Sequence, residues 1–272
     1  MDLLKKLSRI AAVCTAYLFM MPMAASAHTL WLNCTDYNPD YSLKTGAKTK
    51  IYVGWGHRFP VDSYVDAADF EEITLVKPSK ASEQLVLETT GFASKQLNLK
   101  EEGLHVIGIV RKEAYNTSYR ENGKVVSVKG TKEGRSDVVN SSHSQQFAKT
   151  LISAGKGSDA NLSYALGHKL EIIPVDNPFK LENNRGGVMR VKVLLDGKPV
   201  PYVKVFGMYE GYSSKDAASS VVSTNSEGIA ELRIDHWGTW ILKTRIDREP
   251  LGEMRKKVNK ESFFASLTFA VP

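Results

Sequence analysis

Cysteine is nearly absent from this sequence. It has two in 272 residues, and only Cys34 lies beyond the N-terminal apolar stretch that holds Cys14. A single thiol in an exported chain excludes an internal disulfide, so folding rests on core burial. Long apolar runs are also missing after residue 27. No later stretch reaches the ~20 residues a spanning helix needs, so the mature chain has no membrane span and is no channel or permease by itself. Concentrated Lys/Arg runs are absent as well. The net charge of +6 is spread along the chain, which argues against a nucleic-acid-binding face. G-x-S-x-G, H-E-x-x-H, Walker and G-x-G-x-x-G patterns are lacking, and Gly54-Trp55-Gly56 has no third glycine. The common hydrolase, metalloprotease and nucleotide signatures are thereby excluded.

What is present begins with an export signal over residues 1–27. Lys5, Lys6 and Arg9 precede an apolar stretch from Ile10 to Met23, and Ala25-Ser26-Ala27 supplies a small-residue cleavage site. Cleavage there makes His28 the first residue and places the protein in the periplasm or outside the cell. The remainder is long enough for one large or two small domains. Short β-rich runs dominate it: Thr29–Asn33, Thr49–Trp55, Ile73–Lys77, Leu85–Thr89, Leu104–Val110 and Val125–Val128, then Leu170–Pro174, Val188–Leu195, Val203–Tyr209, Ile229–Ile234, Thr239–Thr244 and Phe263–Val271. Asn122-Gly123 and Asp196-Gly197 are hairpin dipeptides, and Arg111–Gly134 reads as a projecting hairpin. The pattern predicts an all-β protein of two immunoglobulin-like sandwiches in tandem, residues 28–178 and 179–272, joined near the Asn- and Pro-containing stretch 176–184. One helix is expected at 142–154, where Phe147, Leu151 and Ile152 recur at helical spacing behind a Ser-rich cap.

The histidines carry the functional signal. As a terminal residue His28 offers an α-amine and a ring nitrogen, and the amine's pKa near ~7.7 makes deprotonation cheap at neutral pH. Such nitrogens suit Ni(II), Cu(II), Co(II) and Zn(II). If the first two strands pair antiparallel, His28 comes beside His57. Asp62 is the nearest acid of a cluster with Asp66, Asp69, Glu71 and Glu72. It could complete the coordination sphere, as could water, while a solvated acidic loop is the plain alternative. His105 shares a strand face with Ile107 and Ile109; it is a core residue or a further ligand. Cys34 is too far along the first strand to join them. Trp31, Trp55, Tyr52, Tyr64 and Phe59 cluster near the site in sequence, as packing or as a sugar platform.

Nearly end to end, the chain resembles a family of exported bacterial proteins of unknown detailed function associated with extracytoplasmic nickel and cobalt uptake. The matching segments are Ala27-His28-Thr29-Leu30-Trp31-Leu32, Trp55-Gly56-His57-Arg58-Phe59-Pro60, Phe147-Ala148-Lys149 and Gly167-His168-Lys169-Leu170-Glu171-Ile172-Ile173-Pro174. Asp196-Gly197-Lys198-Pro199-Val200, Thr224-Asn225-Ser226-Glu227-Gly228, Gly238-Thr239-Trp240 and Ala265-Ser266-Leu267-Thr268-Phe269 follow in order. The second half looks like a transthyretin-like or carboxypeptidase-regulatory sandwich. The resemblance implies a non-enzymatic protein that binds nickel or cobalt at His28 and His57 and hands it to a transporter, with an inner-membrane metal transporter or an outer-membrane receptor as its partner. The sequence departs from the family at Asn33-Cys34, where an acid and a proline are expected, and at His105, where an aromatic is usual. Two other readings stand beside this one: a copper histidine brace for oxidative polysaccharide cleavage, and a structural or docking module without metal.

Overall fold

The computed structural model describes residues 28–89, 91–156, 159–181 and 187–272. The expected export signal at residues 1–27, and residues 182–186 of the expected domain junction, lie outside them. Among the described residues the protein is all-β, with sixteen strands, two single-turn 3-10 helices (Ala67–Asp69 and Pro178–Lys180) and one short α-helix, α1 (Met254–Lys257). The strands stack as immunoglobulin-like sandwich layers.

A small outer sheet holds β1 (Thr29–Cys34), β2 (Ala47–Gly56) and β5 (Ser94–Leu99) in the order β1-β2-β5. The large sheet combines β3 (Phe70–Val76), β4 (Ser82–Gln84), β6 (Gly103–Glu121), β7 (Lys124–Lys129) and β8 (Val138–Ala154) with β12 (Lys204–Tyr209), β13 (Ser220–Ser223), β15 (Gly238–Arg248) and β16 (Lys260–Val271). Its order is β13-β12-β15-β16-β8-β6-β3-β4, with β7 on β6. A third sheet contains β9 (Leu170–Pro174), β10 (Gly187–Leu195), β11 (Lys198–Pro199) and β14 (Ile229–Ile234).

The large sheet belongs to both halves of the chain, because β16 pairs in parallel with β8, Lys260 opposite Ser142 through Thr268 opposite Thr150. Alternation along its strands shows what covers each face. On β6, Leu104 and Val106 join the core shared with the third sheet, while Ile107 and Ile109 join the core under the β1-β2-β5 sheet. On β8, Lys149 pairs with Glu171 of β9, and the next residue, Thr150, touches Cys34 of β1. On β16, Phe263, Leu267 and Phe269 face the third sheet, whereas Ser266 and Thr268 hydroxyls donate to Leu30 and Leu32 carbonyls of β1. The middle strands are therefore covered from both sides. Each fully buried Leu or Phe there contributes about 1.5–3 kcal/mol relative to exposure.

This burial corrects the helix expected at 142–154, a stretch that lies wholly within β8. Residues 146–154 are all buried, so apolar side chains occur on both faces and period-two alternation is lost. The remaining Phe147, Leu151 and Ile152 then mimic helical spacing. Two hairpin expectations agree with the structure. Asn122-Gly123 joins β6 to β7 and Asp196-Gly197 joins β10 to β11, each with both residues at positive φ, as a two-residue type I′ turn requires.

Candidate metal centre

The β1–β2 register sets the site. Thr29 lies opposite Gly56, so the next pair outward is His28 and His57. Their ring centres stand 4.6 Å apart at 60°. Two imidazoles each bound at about 2.0–2.1 Å to one ion have ring centres no further apart than roughly 6 Å, so the pair fits a shared ion. His28 is exposed and meets the Trp55 ring edge-on at 5.4 Å. Its carbonyl accepts a bond from Gln146 Nε2 at 3.0 Å, which ties the start of β1 to the large sheet. The Arg111 guanidinium lies 4.0 Å from the Trp55 ring centre and pairs with Asp69 at 3.3 Å.

Two glycines make the His57 loop possible. A Cβ at Gly54 would lie 2.0 Å from Trp31 Nε1, so the strand must be bare where the indole crosses it. Gly56 has φ +134°, and a Cβ there would meet the Asp62 carboxylate at 2.2 Å. The Trp31 indole and the Asn33 amide both donate to the Pro60 carbonyl, at 2.9 and 2.8 Å. Trp31 also packs with Phe59, Met208 and Ile241 in a small core. The loop is thus fastened to β1 beneath it.

Asp62 works inside this loop. One oxygen accepts from the His57 and Arg58 amides at 2.6 and 3.2 Å, and the other from Arg58 Nε and Nη2 at 3.0 and 2.7 Å. Backbone donation from His57, then the Arg58 side chain, lowers its pKa to about 2. The structure therefore places Asp62 as the brace of the turn, with both oxygens engaged. Because the folded carboxyl titrates below its unfolded value, its contribution is complete above the unfolded pKa and is lost as pH falls through the folded one. Asp62→Asn is expected to cost about 1–2 kcal/mol at pH 7. Urea unfolding of the two proteins should show this gap closing between pH 4 and pH 2; a gap that persists at lower pH would contradict the assignment.

Three of the remaining acids serve local structure as well. Asp66 accepts from the Ala68 amide, Asp69 pairs with Arg111, and Glu72 accepts from Thr74 and Gln84. The structure does not bring His105 to His28. It is buried about 20 Å along β6 from Arg111, its Nδ1 3.1 Å from the Gly103 carbonyl and its pKa lowered by burial. Cys34 is buried at the far end of β1 with its thiol raised to about 12. His143 stacks on Tyr115, His168 lies tilted over Phe147, and His236 stacks on Tyr209. Of the aromatics near the site, Trp31 and Phe59 are core residues, Arg111 covers Trp55, and Tyr64 is exposed.

Two residues of the second half complete the surroundings and had no signal in the sequence. Asp216, between β12 and β13, places Oδ2 3.7 Å from His57 Nδ1, and Lys243 of β15 places Nζ 2.5 Å from Asp216 Oδ1. Nothing in Ser213-Ser214-Lys215-Asp216-Ala217 marks this aspartate, since only the tertiary fold brings it to His57. Among the described residues no group of three or more His, Cys, Asp and Glu side chains converges as a metal site. The side chains that meet at the end of β1 and β2 supply two imidazole rings.

No curated protein matches the chain. Among solved structures, a DUF4785 family protein from Legionella pneumophila is 10% identical with a TM-score of 0.26. That match covers 87% of this chain, which spans about half (54%) of the Legionella protein. Two fibronectin type III domains of chicken tenascin are 14% identical, with 86% and 95% of the two chains covered and a TM-score of 0.21. The D0-D1 domains of intimin are 14% identical, with 88% and 96% covered and a TM-score of 0.22. The family model for a domain of unknown function, DUF4198, matches residues 25–248, and the chain belongs to that family.

Proposed function

We propose that this protein is an exported, periplasmic accessory protein that binds one divalent transition-metal ion at His28 and His57 and hands it to a transporter. The observation that carries the reading is the 4.6 Å separation of the two rings at the paired ends of β1 and β2. Cleavage before His28 would free its α-amine. Amine and Nδ1 of one histidine close a six-membered chelate ring, which Nε2 of the same residue cannot reach, and His57 adds a second imidazole. Three nitrogens leave positions for water or for the ligands of an acceptor, which exchangeable carriage requires. The resemblance in sequence favours nickel or cobalt as cargo, with copper and zinc compatible with the same donors.

Calorimetric titration of protein beginning at His28 with Ni(II), Co(II), Cu(II) and Zn(II) tests this. One ion per chain is expected. A single alanine added before His28 blocks the amine and should weaken binding about 100-fold, some 2.7 kcal/mol. His57→Ala should lower affinity without unfolding the protein. Absence of binding by all four ions, or equal affinity with and without the added alanine, would overturn the reading.

A further inference from the structure

We infer that Asp216 is the positioning residue for His57 and that Lys243 holds Asp216 in place, so the site needs both halves of the chain. This inference rests on the metal-binding reading above. Of the two ring nitrogens of His57, the one nearest a carboxylate is Nδ1, 3.7 Å from Asp216 Oδ2. That is an ion-pair distance that a small turn of the ring shortens to a hydrogen bond. With Nδ1–H donating to Asp216, the lone pair of the neutral ring resides on Nε2, which is then the nitrogen available to an ion. Histidine ligands are commonly oriented in this way, the second ring nitrogen donating to a carboxylate that fixes tautomer and angle.

The carboxylate is itself anchored. Its other oxygen lies 2.5 Å from Lys243 Nζ, and the aspartate and lysine side chains are 26% and 19% exposed. Lys243 projects from β15, a strand held on both sides by β12 and β16, so the anchor is a rigid one. His57 is aimed from outside its own sheet: the first half contributes the ligands, and the second sets the direction of one of them. The same arrangement places a negative charge beside a cation-binding nitrogen, with the lysine balancing it when the site is empty.

The tautomer can be read without any metal. Nitrogen-15 chemical shifts of the His57 ring in the protein beginning at His28, at a pH where the ring is neutral, should show Nδ1 protonated and Nε2 bare. Asp216→Asn and Asp216→Ala should shift this balance toward protonated Nε2. Titration with Ni(II) alone should then show affinity reduced roughly 10–100-fold in both variants, and by a smaller factor in Lys243→Met, with circular dichroism melting unchanged. A wild-type ring protonated on Nε2 would overturn the inference, as would Ni(II) affinity equal in wild type and both Asp216 variants. If the ring is protonated on Nδ1 and no metal binds, the proposed function falls while the Asp216–His57 contact stands, so the two failures are distinguishable.

Discussion

Lys149→Ala is expected to lower the unfolding free energy by about 3–5 kcal/mol, because it leaves a carboxylate buried without its countercharge. Lys149 and Glu171 are each only 2% exposed and form a direct ion pair across the interface between β8 and β9. Both members have further hydrogen-bond partners close by. Lys149 donates to the Tyr164 carbonyl at 3.1 Å, and Glu171 accepts from the Leu166 and Gly167 amides at 2.8 and 3.2 Å. Burial pushes the lysine's pKa down and the facing carboxylate pulls it back up. Glu171→Gln removes the same attraction but keeps an acceptor for the amides, so its cost should be smaller than that of Lys149→Ala. The double variant Lys149→Met/Glu171→Leu should recover much of the loss, since a well-packed apolar replacement of a buried ion pair is often neutral or stabilising. Urea unfolding midpoints of wild type, Lys149→Met, Glu171→Leu and their double variant form a double-mutant cycle, and Lys149→Ala and Glu171→Gln are compared with the same wild type. A cost below about 1 kcal/mol for Lys149→Ala would show that the pair is hydrated, contrary to its enclosure between two sheets.

Gly54→Ala should damage stability and, where the proposed function holds, metal binding, although residue 54 is neither of the two proposed ligands. Its added methyl would occupy the space of the Trp31 indole, 2.0 Å from Nε1 and 2.2 Å from Cε2. Trp31 is 2% exposed and cannot retreat outward without opening its contact with Phe59, Met208 and Ile241. Overpacking of this kind costs about 1–3 kcal/mol. The indole's bond to the Pro60 carbonyl would break with it, releasing one of the two ties that hold the His57 loop on β1. Binding at a loop loosened in this way is expected to fall at least tenfold, about 1.4 kcal/mol. Gly54→Ala/Trp31→Phe makes room for the methyl. It should restore part of the stability and little of the affinity, because phenylalanine has no N–H for Pro60. Recovery of full affinity in the double variant would show that the tie to Pro60 does not position His57.

The nearness of His28 and His57 was legible in the sequence because it depends on local antiparallel register, which hydrophobic alternation and flanking glycines report directly. Gly54 and Gly56 both read as residues that let the chain turn sharply beside Trp55, but the need for a bare Gly54 comes from an indole on the neighbouring strand, which local sequence does not show. Strand identity was clear where one face is exposed, as in β14, whose observed bounds Ile229–Ile234 match those expected. It failed where both faces are covered, and β8 was read as helix in consequence. The polar β13 and the short, mixed β5 carry too little alternation to stand out. Asp62 was expected beside the ion, but the four donors around it depend on a turn conformation that spacing does not encode. Asp216 and Lys243 lie beyond any local pattern, because only the path of the large sheet brings β12 and β15 near β1.

The parallel union of β8 with β16 has a consequence for how the molecule reaches its final form. Ser142 meets Lys260 and Thr150 meets Thr268, contacts of very long sequence separation, which close slowly because the intervening chain must first be gathered in. Made from its N-terminus onward, the polypeptide therefore lacks an interior strand until β16 has emerged. Truncation before Lys260 would remove the middle of the sheet rather than trim its margin, exposing the flanks of β8 and β15 to association with other chains.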